Sequence, residues 1–100
     1  MKLQVQSINF DADAKLVTFI EEKCAKLTKY FDRIVDGQVF LKIEKDRENR
    51  ANKVVEIKLN VPQEVLIAEE RGHFFEEATD LAIDNIKRQL VRYKEKLRAY

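Results

Sequence analysis

Six cations crowd the second half of a predicted helix that runs from Phe74 to Tyr100. They are Lys87, Arg88, Arg92, Lys94, Lys96 and Arg98, with Glu95 as the one acid among them. At about 100° per residue, the apolar side chains of this segment fall within an arc roughly 80° wide. These are Ile83, Ile86, Leu90, Tyr93 and Leu97. The pattern predicts one packing stripe and a positive surface of the kind that binds a phosphate backbone.

The same order of charges also has a purely structural explanation. Acids come first, as Glu76, Glu77, Asp80 and Asp84. Acids near the N-terminus of a helix and bases near its C-terminus complement the helix macrodipole. This effect fades beyond the last turn, whereas the positive run extends over about three turns. It accounts well for Lys96 and Arg98 and poorly for Lys87 and Arg88, so from this helix alone both explanations stay open.

A second set of cations lies in the C-terminal half of the predicted first helix and in the turn after it. The set comprises Lys23, Lys26, Lys29 and Arg33. If two helices pack in parallel with their C-terminal ends at one edge, this set and the later one merge into a single basic patch. We expect that adjacency, which is the central structural hypothesis from the sequence.

Length and composition are those of one globular domain spanning residues 1–100. The chain has a formal net charge of only +1 and is 45% hydrophobic, so its positive charge is concentrated locally. No apolar stretch approaches the roughly 20 residues that span a bilayer, and the N-terminus lacks a signal-peptide core. The lone Cys24 cannot form an internal disulfide. We therefore expect a cytoplasmic protein without a membrane partner.

No constellation of residues predicts catalysis. His73 has no suitable partner nearby in the sequence, and Cys24 lies on an apolar helical stripe, where it is expected to be a small buried hydrophobe. The carboxylates of Glu69, Glu70 and the next helix start are interpreted as solvated or dipole-complementing groups. Motifs such as HExxH, CxxC, GxxxxGK and GxSxG do not occur. The sequence predicts no enzyme, no cofactor, no metal site and no small-molecule substrate.

The hydrophobic pattern predicts four strands and two helices in the order β-α-β-β-β-α. Period-two alternation marks strands near residues 2–6, 39–44 and 54–61, and four successive apolar residues at 65–68 mark another strand whose inward face stays open. A stripe at spacings of three and four marks a helix from Asp11 or Asp13 to about Tyr30. A charged connection, 45–53, joins the second and third strands. The expected fold is an α+β two-layer sandwich, a four-stranded sheet covered on one face by two roughly parallel helices.

Three segments, in the same order along the chain, resemble the bacterial ribosome hibernation promoting factors and the related ribosome-associated inhibitor, protein Y. They are AKLTKYFDRI at 25–34, VFLKIEK at 39–45 and FFEEATDLAIDNIKRQLVRYKEKLR at 74–98. The resemblance implies binding to the small ribosomal subunit and its 16S rRNA near the decoding centre. There such a protein blocks mRNA and the A- and P-site tRNAs, and so inhibits translation in stationary phase or stress. It also implies the short form of the family, which pairs ribosomes with help from a ribosome modulation factor.

Carried over by position, the resemblance implies nine rRNA-binding residues. They are Lys23, Lys26, Lys29, Arg33, Lys87, Arg88, Arg92, Lys94 and Lys96. The sequence departs from the family at Asn85, where relatives often have a lysine, and at the segment Gly72 to Phe75. Tyr30, Phe31 and Tyr93 are expected to pack in the core or cap it rather than stack on bases.

A second hypothesis is a protein-interaction module whose charged helix binds an acidic protein partner. An older description of the same family, as modulators of a transcription sigma factor, suggests it. Because small α+β sandwiches host many activities, the fold alone does not choose between the two hypotheses.

Overall fold

The computed structural model describes residues 1–45 and 51–98 and has the predicted order of elements. The elements are β1 (Lys2–Ser7), α1 (Ala14–Ala25), β2 (Asp36–Ile43), β3 (Lys53–Val61), β4 (Glu64–Gly72) and α2 (Phe75–Arg98). Most of the predicted charged connection, 46–50, and the last two residues of the predicted final helix lie outside the described residues. The α+β class and the order β-α-β-β-β-α are confirmed.

The four strands form one mixed sheet in the order β1-β2-β3-β4. β1 pairs with β2 in parallel, and β2–β3 and β3–β4 pair antiparallel. A parallel pair needs a crossover connection, which α1 supplies here, whereas a two-residue turn joins β3 to β4. Across the middle of the sheet the register aligns Val5, Val39, Ile57 and Ala68.

Buried and partly exposed residues alternate along β2 and β3. Because successive side chains of a strand point to opposite faces, one face of the sheet packs into the core. The two helices contribute Ile20, Cys24, Ile86 and Leu90 to the same buried cluster. Four successive apolar residues in β4 left its inward face open in the sequence. In the structure Leu66 and Ala68 point into the core, whereas their neighbours Val65 and Ile67 are exposed.

Cys24 behaves as the small buried hydrophobe that the sequence predicts. Its side chain is fully buried, and burial raises the pKa of its thiol to about 12. The thiol is therefore protonated at neutral pH and is neither a nucleophile nor a metal ligand there.

The first helix changes from α to 3-10 geometry in its last turn. Of the two candidate caps, Asp13 caps α1, accepting a hydrogen bond from the Lys15 backbone N–H at 2.9 Å. The α-helix stops at Ala25, and a 3-10 turn follows over Lys26–Lys29. The Thr28 hydroxyl donates to the Ala25 carbonyl at 2.9 Å, a local bond that competes with regular helix geometry. The helical segment therefore extends to Lys29, close to the predicted end at about Tyr30, with its last turn in 3-10 geometry.

The packing stripe of α2 is confirmed up to Tyr93, and Leu97 departs from it. Ile86, Leu90 and Tyr93 are buried, but Leu97 is 40% exposed. The Tyr93 hydroxyl donates to the Pro62 carbonyl at 2.8 Å, which places Tyr93 level with the turn between β3 and β4. Leu97 lies one turn further, about 6 Å along the axis, where the sheet has ended.

Candidate nucleic-acid interface

The segment that contains α1 and the segment that contains α2 run alongside each other, and their contacts occur in the same order along the two segments. The Phe10 and Phe75 rings stack with centroids 5.2 Å apart, before α1 and at the start of α2. Further along, Lys23 Nζ lies 3.4 Å from Asp80 Oδ1. The Phe31 ring then meets Tyr93 edge-on, with centroids again 5.2 Å apart. The cationic ends of the two segments consequently lie beside each other.

Three of the predicted cations line a groove between α1 and α2, which we call the inter-helix groove. Its volume is about 400 Å³, and its lining includes Lys23, Lys26 and Lys87 together with Asp80 and Asp84. The pairing of Lys23 with Asp80 therefore neutralises part of this groove. The two remaining ammonium groups have no carboxylate within ion-pair distance in the described chain.

Three other predicted cations meet at the end of the molecule, in what we call the terminal groove. It has a volume of about 490 Å³ and contains Lys29, Arg33 and Lys94, with Arg98 beside them. The Arg33 guanidinium lies over the Phe31 ring at 5.3 Å from its centroid. This contact is a cation–π interaction that holds the guanidinium at the surface. Asp32 is the acid that lines this groove.

Tyr30 separates the two grooves and lines both of them. It is half-buried, and Lys87 Nζ lies 4.7 Å from the centroid of its ring. The expectation that Phe31 and Tyr93 belong to the core is confirmed, since they are 6% and 4% exposed. Tyr30 also packs against the core, as expected, and its ring in addition contacts Lys87 at the junction of the two grooves.

The remaining predicted cations lie on other sides of α2. Arg92 and Lys96 border a hollow on the β4 side of the helix, and Lys96 Nζ lies 3.9 Å from a Glu64 carboxylate oxygen. Arg88 is exposed on the outer surface of the helix. The nine predicted residues thus do not fill one cleft; they surround the C-terminal half of α2 and extend to the end of the first helical segment.

Most of these cations are electrostatically unpaired. Among the described residues, only Lys23 and Lys96 of the nine form ion pairs. The other seven are Lys26, Lys29, Arg33, Lys87, Arg88, Arg92 and Lys94. An arrangement built only for stability would pair such charges or leave them at the last turn of the helix. Seven uncompensated cations around one end of the molecule form a surface that attracts a polyanion.

Two neighbours of this surface were not among the predicted site residues. Arg98 lines the terminal groove, and the cation run in the sequence already contained it. Gln63, in the turn between β3 and β4, lies in a hollow with Lys96 and Leu97. No sequence signal identified it, because a polar residue after a proline is ordinary for a turn.

The described residues contain no group of three or more histidine, cysteine, aspartate or glutamate side chains that could hold a metal ion. Within the same ranges, 1–45 and 51–98, no helix is long and apolar enough to cross a membrane.

A family model described as "Sigma 54 modulation protein / S30EA ribosomal protein" matches residues 3–98. The chain belongs to this family. The S30EA family includes proteins of ribosome hibernation and translation regulation, and several curated members are similar to this chain over nearly its whole length.

Three such relatives illustrate the similarity. The ribosome hibernation promoting factors of Escherichia coli K12 and Salmonella typhimurium LT2 are each 33% identical over 100 residues, covering the whole of both chains. The ribosome hibernation promotion factor of Deinococcus radiodurans is 34% identical over 91 residues, which are 91% of this chain but 48% of that protein. This chain thus spans about half the length of the Deinococcus relative.

Two solved structures share the fold of this S30EA family chain. A ribosomal subunit interface protein from Coxiella burnetii superposes with a TM-score of 0.85 at 21% identity, covering 95% of this chain and 99% of that one. The N-terminal domain of Thermus thermophilus protein Y gives 0.78 at 22% identity, covering 93% and 99%. The mixed four-stranded sheet with two helices is therefore the fold of these proteins.

Proposed function

We propose that this protein is a ribosome hibernation factor that binds the small ribosomal subunit through the basic end of its two-helix layer. The observation that carries the proposal is the set of seven unpaired cations around the C-terminal half of α2 and the end of the first helical segment. Relatives that match this chain along its full length carry the name ribosome hibernation promoting factor. The proposal treats residues 1–100 as one ribosome-binding domain.

The proposed interface is one surface shared by two roughly parallel helices. The paired contacts from Phe10–Phe75 to Phe31–Tyr93 support this arrangement, because both partners advance along the chain together. Folded RNA has a deep, narrow major groove, so side chains meet mainly its phosphates, 2′-hydroxyls and unstacked bases. Arg88 and Arg92 suit bidentate phosphate contacts, whereas the lysines act as point charges.

The proposed mechanism is steric occlusion without a chemical step. Phosphate contacts from the nine cations position the protein on the 16S rRNA near the decoding centre. There the body of the domain occupies the path of mRNA and of the A- and P-site tRNAs, which inhibits translation during stationary phase or stress. The mechanism uses no cofactor, operates in the cytoplasm and is compatible with a ribosome modulation factor as a further partner.

A second candidate function is the binding of an acidic protein partner, as in sigma-factor modulation. The description of the matching family, which names sigma 54 modulation, is the observation that favours it. The same unpaired cations would serve this function, and the two candidates differ in the nature of the polyanion. RNA binding releases condensed counterions from the phosphate backbone, and that release is measurable.

Salt dependence therefore tests the first candidate, the binding of rRNA phosphates. We expect the logarithm of the association constant with small ribosomal subunits to fall with the logarithm of salt concentration, with a slope of about −5 to −6 if all seven cations reach phosphates. The measurement is a binding titration at four or more potassium chloride concentrations. A slope near zero would contradict rRNA binding through these cations.

A further inference from the structure

In the turn between β3 and β4, Gln63 has a backbone conformation that is unfavourable for residues other than glycine. Val61 pairs with Glu64, so Pro62 and Gln63 form a two-residue connection. Gln63 has a φ of 68°, in the left-handed region that glycine adopts without strain and other residues adopt at a cost. Residues held in such conformations cluster at functional sites, where their side chains are needed.

The turn is fixed against the basic end of α2. Tyr93 donates its hydroxyl hydrogen bond to the Pro62 carbonyl at 2.8 Å, and Lys96 lies 3.9 Å from Glu64. The backbone on both sides of Gln63 is thereby tied to the helix that carries Arg88 and Arg92. The Gln63 side chain is exposed and forms no hydrogen bond within the described chain.

The hollow beside Gln63 brings apolar, amide and charged groups together. Its volume is about 250 Å³, below the roughly 300–1,000 Å³ of sites for drug-sized ligands. Pro62 and the 40% exposed Leu97 supply an apolar wall. Lys96 and Glu64 also line the hollow, and the Lys96 ammonium group lies 3.9 Å from a Glu64 carboxylate oxygen. The Gln63 amide both donates and accepts hydrogen bonds, as the edge of an unstacked base requires.

We propose that Gln63 contacts a base in the RNA interface and binds one unpaired nucleotide in this hollow. The base lies against Pro62 and Leu97 with its edge on the amide, and its phosphate displaces the Glu64 carboxylate from Lys96. The inference rests on the proposed function and deepens it, because it adds a contact that selects an unpaired nucleotide to a surface of phosphate contacts. The left-handed conformation aims the amide at the base.

Substituting Gln63 tests this inference because stability and binding should change in opposite directions. We expect Gln63→Gly to raise Tm by about 4 °C or more through relief of backbone strain. The same change should lower the affinity for purified small ribosomal subunits about 5- to 10-fold, as for one lost hydrogen bond. Gln63→Ala should lower affinity equally without the rise in Tm. Gln4→Ala, at an exposed glutamine of β1, is the matched control and should change neither quantity.

The outcomes distinguish this inference from the function on which it rests. Wild-type binding with unchanged affinity of both Gln63 variants would overturn the nucleotide contact and leave the proposed function standing. Absence of wild-type binding would overturn both. A lower affinity of both variants, with a higher Tm in Gln63→Gly alone, is the result that the inference predicts.

Discussion

Reversing Arg88 and Arg92 to glutamate should abolish binding to the small ribosomal subunit while leaving the fold intact. Both side chains are exposed and unpaired within the described chain, so the free energy of unfolding should stay within roughly 1 kcal/mol of the wild type. Loss of two hydrogen-bonded charge contacts weakens binding by about 3 kcal/mol or more, which is over 100-fold. Co-sedimentation measures the affinity, and thermal unfolding measures the stability.

A matched control separates the position of the charge from its amount. Lys2→Glu together with Lys15→Glu changes the formal net charge from +1 to −3, as does the arginine pair, since each substitution contributes −2. Both lysines are exposed, on β1 and at the start of α1, away from the grooves. This control should retain most of the binding. Equal loss in the two double variants would mean that net charge, and not the basic end of α2, governs association.

Leu90→Ala should have the opposite effect to the arginine reversal: a large loss of stability with binding retained. Leu90 is fully buried in the core between α2 and the sheet. Truncating a buried leucine removes its transfer free energy and leaves a cavity, which together destabilise by about 2–5 kcal/mol. For a chain of this size the expected fall in Tm is about 8 °C or more. Urea or thermal unfolding followed by circular dichroism measures it.

The adjacent Val91 provides the control for this substitution. Val91 is 38% exposed and faces away from the sheet, so Val91→Ala should change the free energy of unfolding by less than about 0.5 kcal/mol. Below its melting transition, Leu90→Ala should still bind small subunits, because Leu90 contributes no surface to the grooves. A stable Leu90→Ala variant that fails to bind would contradict the separation of core from interface.

Much of the fold was predictable because it follows from the spacing at which apolar residues recur along the chain. Alternation in Val39, Leu41, Ile57 and Leu59 determines which face of the sheet is buried, and the structure buries all four. The apolar packing stripe of α2 was likewise predicted correctly as far as Tyr93. Where a segment was apolar throughout, as at 65–68, period carried no information, and only packing selected Leu66 and Ala68 as the buried pair.

Other features were not readable from the hydrophobic pattern of the sequence. The 3-10 turn at Lys26–Lys29 depends on one hydroxyl bond from Thr28, which helix periodicity does not encode. Exposure of Leu97 depends on where the sheet ends, which is set by the turn at Pro62, a residue far away in the sequence that Tyr93 contacts. Thr79 is fully buried in the helix stripe although its residue type suggests a surface position.

The candidate interface was predictable in content but not in shape. Residue types and the resemblance identified the nine cations, whereas their distribution over two grooves, the outer surface and the β4 side of α2 follows from packing. Gln63 had no signal in the sequence because its importance lies in a backbone angle and in its proximity to Lys96. Whether the nine residues contact rRNA stays a prediction.

The central claim is occlusion of the decoding region, and competition with its natural occupants tests it most directly. Purified small subunits are loaded or not loaded with mRNA and P-site tRNA, and co-sedimentation of the wild-type protein is measured at low and physiological salt. We predict saturable binding to empty subunits that the prebound mRNA and tRNA displace. Binding of equal strength to empty and loaded subunits, or no binding at low salt, would contradict the claim.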